Sequence, residues 1–149
     1  MLFFKQINSL SKRLLFIGLS LVSFTSLAAL PTIELKAGND RIQVEVASTP
    51  ASQQVGLMYR PSMPQNQGML FMFSEKAGHC FWMKNTLIPL SIAFIGDDGR
   101  IVNIEEMDAQ TENNHCPLRP IRFALEMNKA WFSQKKLGPG SLIEGLPRP

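Results

Sequence analysis

The sequence predicts an α+β domain that is mostly antiparallel β, small and barrel-like, with two short helices. Three observations lead there: apolar alternation on either side of a Gly-Asn-Asp reversal near the start, a continuous apolar run at Gly68–Phe73, and a Gly96-Asp97-Asp98-Gly99 turn joining two further apolar segments. The length of 149 residues, with 45% apolar and 18% charged residues, fits a single folded domain and excludes disorder and collagen.

Taken in order, Thr32–Lys36 and Arg41–Ala47 place Ile33, Leu35, Ile42, Val44 and Val46 on alternate positions, a hairpin with one buried face. Thr49-Pro50 supplies an N-cap and a first-turn proline, and Val55, Leu57 and Met58 mark one side of a short helix ending near Tyr59. Arg60-Pro61 stops it, and Ser62–Gln67 is a loop. Gly68–Phe73 reads as a strand buried on both faces, with a turn at Glu75–Gly78. His79–Lys84, Leu90–Ile95 and Arg100–Glu106 read as strands, and Asp108–Arg119 as an irregular stretch. Ile121–Met127 is a further strand, Asn128 caps a helix to Lys136, and Gly138-Pro139-Gly140 precedes a last strand near Ser141–Glu144.

Before all of this stands a leader. A basic stretch to Arg13 is followed by an apolar run, Leu14–Leu27, and Ser26 and Ala28 put small residues where a signal peptidase reads, so cleavage is expected after Ala28. The run is shorter than the roughly 20 apolar residues a spanning helix needs. The expected product is one domain from Ala29 to Pro149, exported to the periplasm or beyond, with no stable membrane anchor. Lys5, Lys12 and Arg13 account for the whole formal charge of +3, since no Asp or Glu precedes Glu34. The remainder is neutral, which argues against a nucleic-acid partner.

Export governs the cysteines. In an oxidising compartment Cys80 and Cys116 are expected to bond to each other, closing a loop of about 36 residues and constraining the unfolded chain by roughly 4 kcal/mol. The dipeptides His79-Cys80 and His115-Cys116 offer an alternative, a zinc or copper set of two imidazoles and two sulfurs. Of the methionines, Met58, Met69, Met72, Met83 and Met127 lie in apolar segments and read as core filler, while Met63 and Met107 look loop-exposed.

Catalytic signatures are absent: there is no G-x-S-x-G, H-E-x-x-H, S-x-x-K or phosphate-cradling loop. Glu105, Glu106 and Asp108 read as the solvated end of a strand. The richest stretch is Trp82-Met83-Lys84-Asn85-Thr86, which passes from aromatic to polar as a strand does at a barrel rim. Lys84 offers a cation and Asn85 and Thr86 offer hydrogen bonds beside Trp82; Arg60 is a second cation. The alternative reading is that Asn85 takes a left-handed turn conformation and Thr86 caps it, with Lys84 simply solvated. Glu126, inside an apolar run, either alternates outward or is a buried partner for Arg60 or Lys84.

These residues carry a resemblance. Gly56-Leu57-Met58-Tyr59-Arg60, Gly68-Met69-Leu70-Phe71, Phe81 to Thr86 with Pro89-Leu90, and Leu125-Glu126 resemble the domain of unknown function 192 (DUF192, UPF0127-type) family, over about Ile33 to Glu144. The resemblance implies a compact β-rich unit, often exported, and brings no activity with it. One departure stands out: after Pro-Leu the family commonly has Asp, and this chain has Ser91. The resulting expectation is an exported, non-enzymatic domain binding a small polar or anionic ligand, or a protein partner, through Arg60, Trp82, Lys84, Asn85, Thr86 and Glu126, with no cofactor. The alternatives are the metal set above and a small hydrolase with a polar cluster around His115 or Glu126.

Overall fold

A computed structural model describes residues 29–148; the leader and its cleavage site lie outside the described residues. The strands are β1 (Thr32–Ala37), β2 (Asp40–Ala47), β3 (Gln67–Ala77), β4 (Leu90–Ile95), β5 (Ile101–Met107), β6 (Ile121–Asn128) and β7 (Ile143–Glu144), with helices α1 (Pro50–Val55) and α2 (Trp131–Gln134). They form one sheet in the order β5-β4-β6-β3-β2-β1-β7, curled into a half-barrel. Its edges approach each other, because the segment entering β7 bonds to the start of β5: Ile101 N donates to Ser141 O (2.9 Å) and Ile143 N to Gly99 O (2.8 Å). Closing an edge this way removes unpaired backbone groups that would otherwise template association.

Every neighbouring pair is antiparallel except β2 and β3, which run parallel with α1 as the crossover between them. That pairing has no local signature, since it depends on where the chain returns after α1. The apolar run does bury both faces of β3: Leu70 joins one core with Leu35, Ile42, Val44, Phe123, Leu125 and Trp131, while Met69 and Phe71 join a second with Leu57, Met83, Ile92, Phe94 and Ala124. Gly68 starts the strand where β6 comes so close that a Cβ would collide with the Glu126 carbonyl oxygen and the Met127 sulfur.

Several expected boundaries move. β3 runs through Glu75 to Ala77 instead of turning, with a register slip after Met72 where the Arg122 guanidinium donates to the Phe73 and Ser74 carbonyls. His79–Lys84 is no strand, because its backbone groups are spent on the irregular 108–119 loop through a single bridge between Phe81 and His115. Asn128 does not cap α2: it ends β6, and its amide ties down the loop by donating to Met63 O (3.0 Å) and Pro64 O (3.2 Å). α1 stops at Val55, which is exposed, and Leu57 supplies the buried contact instead. Met107 is fully buried, not loop-exposed.

Candidate functional site

The second face of the sheet carries a row of opposed residues: Glu45 on β2, Met69 on β3, Glu126 on β6, Ile92 on β4 and Glu105 on β5. Residues directly opposite in a sheet project to the same side, so three carboxyls share one transverse line. The outer two have basic neighbours. Glu45 accepts two hydrogen bonds from Arg60, one of them 2.7 Å from Nη2, and the guanidinium holds its carboxyl below the usual range. Glu105 lies 3.9 Å from His115 Nδ1.

Glu126 is different. It is 5% exposed, and burial alone pushes its carboxyl up to about 8, with no charge or hydrogen bond among the described residues to offset that cost. Burial therefore favours its protonated, uncharged form. It is buried, as one sequence reading had it, but it partners neither Arg60 nor Lys84.

The Glu126 side chain opens onto a cavity of about 350 Å³, between the sheet and the segments laid over it. Phe71 and Phe73 of β3, His79, Phe81, Trp82 and Thr86 line it, together with the end of α1 and the turn after it. Local chemistry sets each wall. Thr49 and Ser52 exchange bonds as a capping box at the start of α1, and Gly56, at φ +50°, turns the chain so that Leu57 drops into the core. The opposite wall is held at both ends: Phe81 and His115 exchange two 2.8 Å backbone bonds, and Asn85 O accepts from Tyr59 N at 2.9 Å. Asn85 takes the left-handed conformation at φ +63°. The disulfide between Cys80 and Cys116 fastens the same wall to the 108–119 loop. Phe73 and the His79 ring stack at 3.7 Å, fixing the imidazole, whose Nε2 also bonds Glu75 O.

Of the residues singled out by sequence, Trp82, Thr86 and Glu126 meet in this cavity. Arg60 lies in an adjoining depression with Glu45, Thr49 and Leu30. Lys84 reaches Glu112 (3.5 Å) and sits 5.3 Å from the Trp82 ring centroid, outside the cavity lining, as does Asn85. The two sulfurs of the supposed metal set are bonded to each other, so they supply no thiolate ligands. Sequence reasoning missed Phe71, Phe73 and the α1 terminus as walls; only the parallel β2–β3 crossover brings them there.

Ser91 lies on the other side of β4 from Ile92, away from the cavity. It is fully buried; its hydroxyl donates to Glu106 (2.7 Å) and accepts from Ala130 N (2.8 Å), fixing the left-handed residue that opens α2. The position is structural, so the departure from Asp leaves the cavity untouched.

A profile of the family described as uncharacterised ACR, DUF192, matches residues 33–145. The chain belongs to the DUF192 family. A Sinorhizobium meliloti structure, described as a putative transcription regulator, is 32% identical with a TM-score of 0.74, over 79% of this chain and 96% of that one. A Novosphingobium aromaticivorans protein of unknown function is 30% identical with a TM-score of 0.75, over 80% of this chain and 89% of that one. No curated protein matches. The residues by which the sequence resembles DUF192 thus divide into two kinds: Gly68 and Leu90 hold the sheet, while Trp82, Thr86 and Glu126 face the cavity.

Proposed function

We propose that this DUF192 chain is an exported small-molecule binding domain whose site is the cavity over Glu126. The observation that carries the reading is a buried, unpartnered carboxyl opening onto an aromatic-walled space. A carboxyl largely withdrawn from water with no protein partner loses hydration, and a ligand that completes its bonding offsets that loss. A volume of about 350 Å³ suits a compact ligand. An anionic ligand fits poorly, since Arg60 and Lys84 already face Glu45 and Glu112. Hydrolysis is less well supported: a Thr86 nucleophile would need a base in hydrogen-bond reach, and no bond among the described residues joins Thr86 to Glu126 or His79. Export is supported by the Cys80–Cys116 bridge, which persists in oxidising compartments, and by the leader-like first 28 residues. No helix among the described residues is long and apolar enough to cross a membrane.

The test is a fragment screen by protein NMR, using small aromatic and alicyclic molecules with one polar head. Binders should shift the amides of residues 53–58, 79–86 and 126 together, and Thr86→Val should weaken them. If no fragment at millimolar concentration moves that set, the reading fails.

A further inference from the structure

Resting on that reading, we infer that the cavity takes an organic cation: a compact apolar body bearing a protonated amine that meets Glu126. The charge inventory of the walls points there. Among the lining residues the ionisable side chains are Glu126 and His79, and neither Lys nor Arg is present. The row across the sheet shows what is missing. Glu45 has Arg60 and Glu105 has His115 nearby, while Glu126 between them faces Met69 and Ile92, which carry no charge.

The other walls suit the same chemistry. Phe71, Phe73, Phe81 and Trp82 supply aromatic surface, to which ammonium groups are attracted through the ring quadrupole. Trp82 already receives one such group, the Lys84 ammonium at 5.3 Å. An ammonium has three donors; the Glu126 carboxylate and the Thr86 hydroxyl offer acceptors for them. An anion would meet an acid and no counter-charge. A neutral ligand could satisfy the hydrogen bonds, but it would gain nothing from ionising the acid.

Proton balance gives the inference a signature. In the empty cavity Glu126 holds its proton; an arriving ammonium replaces it, and the proton leaves to solvent. Amine affinity should therefore rise up to about tenfold per pH unit below about 8 and level off above it. Other groups that could perturb this profile are His79 on the wall, the Glu45–Arg60 pair beyond Met69, Glu105 with His115 beyond Ile92, and Lys84 over Trp82.

The experiment titrates the purified protein with benzylamine, benzyl alcohol and benzoate between pH 6 and 9, by calorimetry and by the amide shifts above. The expected result is that benzylamine binds at least tenfold tighter than benzyl alcohol at pH 8, with the stated pH rise, and that Glu126→Gln abolishes both the preference and the rise. Should Glu126→Gln not fold, the wild-type pH profile decides. If benzyl alcohol or benzoate binds in the cavity as well as the amine does, or if amine affinity is flat with pH, the cation inference is overturned and the binding-site reading stands. If none of the three moves the cavity amides, both fall.

Discussion

Glu45 and Glu126 lie on one transverse row of the sheet with Met69 between them, and of the two only Glu45 meets a guanidinium. Strands are spaced about 4.8 Å apart, so the carboxyls start roughly 10 Å from each other. Arg60 spends its planar fork on Glu45 in a two-bond pairing, and no hydrogen bond or ion pair among the described residues joins it to Glu126. The outcome is one carboxyl held toward its ionised form and one toward its protonated form on the same face, set by partner and burial, not by residue type.

That difference is measurable as a pH dependence of stability. An acid whose folded value is raised keeps its proton in the native state after the unfolded chain has lost it. Between 4.5, the ordinary value, and about 8 the native state binds more protons at Glu126, so this group lowers stability as pH rises. The slope is at most about 1.4 kcal/mol per unit, vanishing below and above that window. Denaturant titrations from pH 5 to 9 should show Glu126→Gln gaining on wild type through the window. Parallel curves for the two proteins would show that the carboxyl is not buried as described.

Ser91 yields a second expectation. Ser91→Ala removes the acceptor for Ala130 N and the donor to Glu106, and should cost about 1–3 kcal/mol. Ser91→Asp sets a carboxylate against Glu106, and should destabilise at pH 7. Adding Glu106→Gln, or lowering the pH, should recover much of the loss. Thermal melts of the single and double variants check this; a Ser91→Asp protein as stable as wild type, and indifferent to Glu106→Gln, would contradict it.

The Cys80–Cys116 bridge should be worth about 4 kcal/mol by loop closure. Replacing both cysteines with serine, or adding reductant to wild type, should lower the denaturation midpoint by similar amounts. Because the bridge anchors a cavity wall, amide exchange in residues 79–86 should also accelerate. An unchanged midpoint in both cases would remove the bridge from the account.

Much of the scaffold was legible because it rests on local physics. Alternation at Ile33, Leu35, Ile42 and Val44, the Thr49-Pro50 start of α1, the both-face burial at Gly68–Phe73 and the turn at Gly96–Gly99 each follow from spacing and backbone preference within a few residues. The cysteine pairing followed from the expected export and the count of two. Where local reading failed, a distant partner was responsible: the 108–119 loop took up the backbone of Phe81 and Met83, and Met63 and Pro64 claimed the Asn128 amide.

The chain alone thus settled most of the strands, though not the fate of His79–Lys84, and singled out Trp82, Thr86 and Glu126 among its candidate site residues. Tertiary structure decided what each became. A carboxyl's charge depends on how much water and which cations surround it, and those come from β2, β3, β4 and the overlying segments. So Arg60 was drawn to Glu45, Lys84 was left at the surface with Glu112, and Glu126 alone was left to face the cavity.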